Sequence, residues 1–209
     1  MKKISTILAA MCIALSGCAQ RNKLIASNNL SEGDLLFCVA DCDNNITNVT
    51  TGLEGKRIDH VAIVHRENGQ CFALEAIHKG VCLSPIDSFM ARRPTVMVAQ
   101  LKDTMGVACS VERALRFIGT PYDFNFMPSD SAMYCSELVQ KCYKTKEGKL
   151  VFKPIPMSFH DKTGAITPYW KDYYGRQGLR VPEGEPGSNP GDLSRSDKIV
   201  ILGELRKHL

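Results

Sequence analysis

The chain carries no block of like charge, no internal repeat and no heptad pattern along its 209 residues. Coiled-coil and repeat architectures are therefore not expected. The formal charge is only +4, and Lys2 and Lys3 supply part of it. So slight an excess gives no nucleic-acid signal. Metal-ligand spacing is equally scarce. Cys38-x-x-x-Cys42 has no second Cys/His pair at zinc-site distance, so neither a metal nor a cofactor is expected. The apolar run from Ile4 to Leu15 is too short to cross a bilayer comfortably.

What is present at the start is a leader. Lys2 and Lys3 precede that apolar run, and Leu15-Ser16-Gly17-Cys18 follows, the order of a secretory signal with small residues before the cut. The ending looks like a bacterial lipobox. It implies cleavage before Cys18 and lipidation of Cys18, with Cys12 a weaker alternative. A membrane-anchored lipoprotein of the bacterial envelope, periplasmic or outer-membrane, is expected. The organisation read here is a signal at 1–17, a short tether at 18–30 and one domain at 31–209. The oligomeric state is left open.

Nine cysteines are many for an exported chain. Besides Cys12, Cys18 and Cys135, the remaining six are Cys38, Cys42, Cys71, Cys82, Cys109 and Cys142. They are read as disulfides or buried free thiols, without a choice between them.

Strands are expected at 33–37, at 60–66 and 71–77 around the hairpin turn Asn68-Gly69, at 95–99, and at 198–205. A helix is expected from a Ser110 cap through Ile118, ending at Gly119 with Pro121 beyond. A second helix begins near Cys135, with Ser129, Asp130 and Ser131 as candidate caps. Residues 154–196 read as loop-rich. Helices on a mostly antiparallel sheet make α+β the expected class.

Cys135, Leu138, Val139 and Cys142 recur at the spacing of one buried helical face. A thiol at a helix start faces unpaired N–H groups and the positive end of the helix dipole, which favour the thiolate. A packed core cysteine would show the same spacing. The hairpin supplies a geometric test. If Asn68-Gly69 form its turn, Glu67 pairs with Gln70, and counting back sets Ala62 opposite Glu75. His60 and Glu75 are then diagonal neighbours on one face, roughly 7–8 Å apart at the backbone and within side-chain reach. His65 falls on the other face. A carboxylate beside a histidine orients the ring, and a histidine beside a thiol activates it, so Cys135, His60 and Glu75 supply nucleophile, base and orienter. Tyr122 and Tyr134 are candidate substrate-binding hydroxyls or core aromatics.

Arg116-Phe117-Ile118-Gly119-Thr120-Pro121-Tyr122 and Tyr134-Cys135-Ser136-Glu137-Leu138-Val139 resemble segments of NlpC-type cell-wall peptidases. Tyr134 stands where those enzymes have Asp, and the His-bearing strand precedes the cysteine helix instead of following it. That order, with Gly33-Asp34-Leu35-Leu36-Phe37, His60-Val61-Ala62-Ile63-Val64 and Phe72-Ala73-Leu74-Glu75-Ala76, is similar to the YiiX/YaeF-like permuted papain-like amidases. The resemblance spans roughly residues 31–145. It implies a permuted papain-like fold and a Cys-His-Glu catalytic group. The expected activity is hydrolysis of amide bonds in small, cell-wall-derived peptides or amides through a thioester. The alternatives are a lipid-directed acyltransferase or thioesterase with the same residues, or a non-catalytic binding lipoprotein.

Overall fold

A computed structural model describes residues 23–93 and 95–206. The signal, Cys12 and Cys18 lie outside the described residues. In chain order the first elements are β1 (Leu24–Ile25), β2 (Leu35–Val39), β3 (Ile58–Glu67), β4 (Gln70–Ile77), β5 (Gly80–Pro85), α1 (Ile86–Ala91) and β6 (Thr95–Leu101). There follow α2 (Val107–Leu115), α3 (Cys135–Cys142), β7 (Ile155–Pro156), α4 (Pro168–Gly175), β8 (Pro186–Gly187), α5 (Pro190–Ser194) and β9 (Ile199–Leu205).

Seven strands form one sheet in the order β1-β9-β6-β2-β3-β4-β5. The pairs are antiparallel except β1 with β9. The class is α+β, as expected. Strict alternation sorts the strands onto two faces. Leu35, Phe37, Val61, Ile63 and Leu74 join a core with α2, α3 and Leu193 of α5. Leu36, Ala62, Val64 and Ala73 join a second core with Ile86, Phe89 and Met90 of α1. A third cluster, away from the sheet, gathers Met157, Phe159, Trp170 and Tyr174.

The hairpin is in the expected register, Glu67 opposite Gln70 and Val64 opposite Ala73. Asn68 and Gly69 both take positive φ, at 50° and 78°, as a two-residue turn of this kind requires. Three expectations need correction. Part of the tether is structure: Leu24 and Ile25 pair with Glu204 and Leu205, and Ile25 and Leu30 are buried in the second core. Ser110 does not cap α2. Gly106 holds that position, and the Ser110 hydroxyl bonds back to the Gly106 carbonyl at 2.9 Å from inside the first turn. The loop-rich stretch after residue 153 also carries α4 and α5, whose N-caps Thr167 and Asn189 accept from the Trp170 and Asp192 amides, with proline at the first helical position.

Candidate active site

Helix α3 starts at Cys135. Tyr134 is its N-cap, with extended backbone and no side-chain cap. Ser129, Asp130 and Ser131 do not cap it. The chain just before the helix is held extended by the Tyr122–Met133 bridge, which keeps them too far upstream. Instead, Ser129 and Ser131 bond each other at 2.7 Å and Asp130 pairs with Lys141 at 2.7 Å. Cys135, Leu138, Val139 and Cys142 are all buried, and so are Ser136, Glu137 and Gln140. Glu137 survives there because Lys141 lies 2.9 Å away.

His60 sits near the start of β3, beside a bulge. Cys38 pairs with His60, but the next residue of β2, Val39, pairs with Ile58 and skips Asp59. The extra residue lets Ile58 and Val61 share the α3-side core, while His60 lies near Phe89 on the other side, 6.4 Å between ring centroids. A bulge re-aims side chains at a strand end in this way. Cys135, at the start of α3, is close enough to His60 to act on its ring. The His60 Nε2 lies 2.7 Å from Glu75 Oε2, so Nδ1 is the nitrogen left for the thiol.

Glu75 is fully buried yet well supplied with donors. Its Oε1 accepts from Ser84 Oγ at 2.6 Å and from Arg92 Nη2 at 2.5 Å, while Oε2 faces the ring. Burial alone would push its pKa up. The bonds and charge of His60, then Ser84 and Arg92, outweigh burial and hold it down at about 2. Burial pulls His60 the other way, downward, but Cys135 and the bond to Glu75 raise it to about 9. The geometry therefore favours an imidazolium between a carboxylate and the sulfur.

Cys135 opens on a cleft of about 560 Å³. Tyr122, Phe126, Tyr134, Met157, Phe159 and Trp170 form much of its wall, with Ile46 and Val49. Both tyrosines named from sequence therefore border the cleft. The Tyr134 hydroxyl, however, accepts a bond from the Ser188 amide at 3.1 Å. Burial raises the Tyr122 pKa well above the usual phenol range.

Other residues fall elsewhere. His65 pairs with Glu32 at 2.9 Å, away from Cys135. Asp123 turns inward to accept the Asn125 and Met127 amides. His160 faces Glu183 at 3.1 Å. The seven described cysteines are free thiols, and Cys38 is buried while Cys42 is exposed. No group of three or more His, Cys, Asp or Glu suited to a metal is present among the described residues.

Sequence reasoning missed Ser84 and Arg92. Ser84 was within reach of the same argument. The β4–β5 register sets Ala73 opposite Ser84 and Glu75 opposite Cys82, so Ser84 is the diagonal neighbour of Glu75, and Gly80 marks the turn. Arg92 follows the short helix α1 and has no comparable signal. Of the aromatic wall, Phe126 and Phe159 come from loops, where no periodicity announces a face.

Comparison with known proteins adds three findings. Residues 29–199 match the family described as permuted papain-like amidase enzymes, YaeF/YiiX. Among curated proteins, the uncharacterized protein YiiX of Escherichia coli K12 is 48% identical over 40 residues, 19% of this chain and 20% of YiiX. Protein OPG091 of Variola virus is 33% identical over 66 residues, 32% of this chain and 38% of that protein. These stretches thus span well under half of either relative. The crystal structure of the metalloprotein yiiX from Escherichia coli O157:H7 superposes with a TM-score of 0.69 at 20% identity. The match covers 83% of this chain and 97% of that one, and shows a shared fold.

Proposed function

The chain belongs to the permuted papain-like amidase family of cysteine hydrolases, and from that premise we propose that Cys135, His60 and Glu75 are its catalytic triad. The Cys135 sulfur attacks an amide carbonyl. The N–H groups at the start of α3 support the oxyanion. His60 gives its proton to the leaving amine as the thioester forms, then takes one from the water that hydrolyses it. Glu75 keeps the ring oriented and its charged form favoured. Tyr122 stands on the cleft wall as a substrate-facing hydroxyl. Tyr134 shapes the wall with its ring, because its hydroxyl is already engaged. The observation that carries this reading is the buried His60–Glu75 bond at 2.7 Å, with Cys135 among the groups that raise the same ring's pKa.

The substrates proposed are small peptides or amides released from the cell wall, met at a membrane where lipidated Cys18 tethers the protein. Leu15-Ser16-Gly17-Cys18 supports the tether and the envelope address. A second reading rests on the cleft. Its apolar wall of Val49, Met157 and Phe159 suits a fatty acyl group, and the same triad then acts as a thioesterase or acyltransferase.

Iodoacetamide at mildly acidic pH separates the reactive thiol from the others. Cys135 is expected to react first, and His60→Ala to slow it far more than His65→Ala. Burial pushes Cys142 up to about 12, so equal labelling of Cys135 and Cys142 contradicts the triad. Product analysis on peptidoglycan fragments against acyl esters decides the substrate. Cleavage of the esters alone overturns the amidase reading. Cys18→Ala is expected to release the protein from membranes, and an unchanged distribution argues against lipidation.

A further inference from the structure

Beside the cleft lies a second, open hollow of about 710 Å³. It shares Ile46, Asp59, Tyr122, Phe126 and Trp170 with the cleft. Six of its ten wall residues are aromatic, the other rings being Phe124, Tyr169 and Tyr173. Tyr169 and Tyr173 stack at 24°, 5.9 Å apart, while the rings around Trp170 meet it steeply. Phe126 stands at 85° to Trp170, Tyr169 at 81° and Tyr173 at 78°, with centroids 5.0–5.7 Å apart. The Tyr173 hydroxyl donates to the Phe124 carbonyl at 2.9 Å, tying two walls together. Phe126 takes a φ of 52°, a conformation costly for a bulky side chain and retained where the surroundings enforce it.

A wholly apolar ligand would not call for the group that completes the wall. Asp59 contributes a carboxylate that is only partly satisfied. Its Oδ2 accepts from Asn44 at 2.8 Å, while Arg93 is 3.9 Å from Oδ1, the outer limit of an ion pair. Among the described residues the cation set over an aromatic ring is Arg92, on Phe89, and not over these rings. Partly exposed rings such as Phe124 and Tyr169, with one carboxylate among them, are the chemistry that holds an organic ammonium ion, by ring quadrupole and charge together.

We propose that this hollow is a subsite for a positively charged ammonium group of the substrate, sharing a wall with the cleft that holds Cys135. The inference deepens the hydrolase reading. It assigns the substrate a cationic end, primary or quaternary, on the side of the scissile bond that lies towards α4.

Trp170 is the one tryptophan of the chain, so its fluorescence reports on the hollow directly. The experiment titrates the full-length protein in detergent with choline and n-butylammonium, and separately with the uncharged choline isostere 3,3-dimethylbutanol. The expected result is a saturable change with at least one cation, bound about tenfold or more tightly than the isostere, the scale of a desolvated cation–π contact. Asp59→Asn should weaken the cation by about tenfold and leave the isostere alone. Tyr173→Leu, at a rim position, should weaken the cation if Asp59→Asn fails to fold. Equal binding of cation and isostere, or no saturable response to either cation, overturns the proposal. Cys135→Ser should keep the response. Cation binding without turnover therefore counts against the triad, whereas turnover without cation preference counts against the subsite.

Discussion

The sheet and the C-terminal layer border the same cleft by different means. On the sheet side, Glu75 has no exposure and three side-chain donors, and His60 hangs between it and Cys135. Ladder hydrogen bonds fix each backbone position, so a side chain there has little freedom. On the other side, Met157, Phe159, Trp170 and Tyr174 pack ring against ring, with α4 and the two-residue pair β7–β8 as their regular elements. One side suits chemistry that tolerates no displacement. The other suits recognition, where rings can be exchanged without disturbing His60 or Glu75.

The sharpest test of that division is on the sheet side. Cys135→Ala should lower hydrolysis by roughly 10⁴ or more, with the melting temperature nearly unchanged. Comparable loss from a variant of the aromatic layer that still folds would erase the distinction. Next in size is Trp170→Ala. Emptying that buried ring should cost about 3–5 kcal/mol of stability in denaturant titration. The loss should appear chiefly as stability and KM, with kcat of the surviving folded fraction less affected.

A third prediction concerns pH and follows from the opposed shifts of the sheet-side pair. His60 is raised from 6.5 to about 9. Its contribution to stability is full below pH 6.5 and lost as pH rises through about 9. Glu75 is lowered from 4.5 to about 2. Its contribution is full above pH 4.5 and lost as pH falls through about 2. Stability from the pair should thus plateau between pH 4.5 and 6.5, and Glu75→Gln should remove the acid limb of the profile. An acid limb that persists in Glu75→Gln assigns it to other carboxylates. The smallest effects separate the two donors behind Glu75. Ser84→Ala removes a buried hydroxyl and should cost about 1–2 kcal/mol. Arg92→Ala removes a side chain that is 40% exposed and should cost less than about 1 kcal/mol after solvent screening. The reverse order would place the weight of the network on charge.

The same contrast explains what could be read from the residues. Period-two alternation and the Asn68-Gly69 turn fix register, and register alone brings His60 to Glu75. The spacing of Cys135, Leu138, Val139 and Cys142 marks the helix face. The bulge at Asp59 leaves no such trace, because it depends on how β2 and β3 pair. Nor do Phe126 or Phe159, whose neighbours are distant in sequence. From sequence, Tyr169, Trp170, Tyr173 and Tyr174 read as either a cleft lining or a packing layer, with packing preferred. Packing is what Trp170 and Tyr174 do, but Trp170 also borders both hollows.

The two residues of β1 bear on how the molecule would carry mechanical load. The Lys23 carbonyl accepts from the Glu204 amide at 2.8 Å, and the Ile25 carbonyl from Arg206 at 2.7 Å. Gly203, at φ 153°, permits that approach, since a Cβ there would stand 2.0 Å from the Lys23 oxygen. Any pull transmitted through the chain before Lys23 is met first at this edge. β9, β6 and β2 separate it from the strand that carries His60. Tension there would strip the outermost ladder before it shifted the His60 ring, so the sheet would yield first at the edge far from β3.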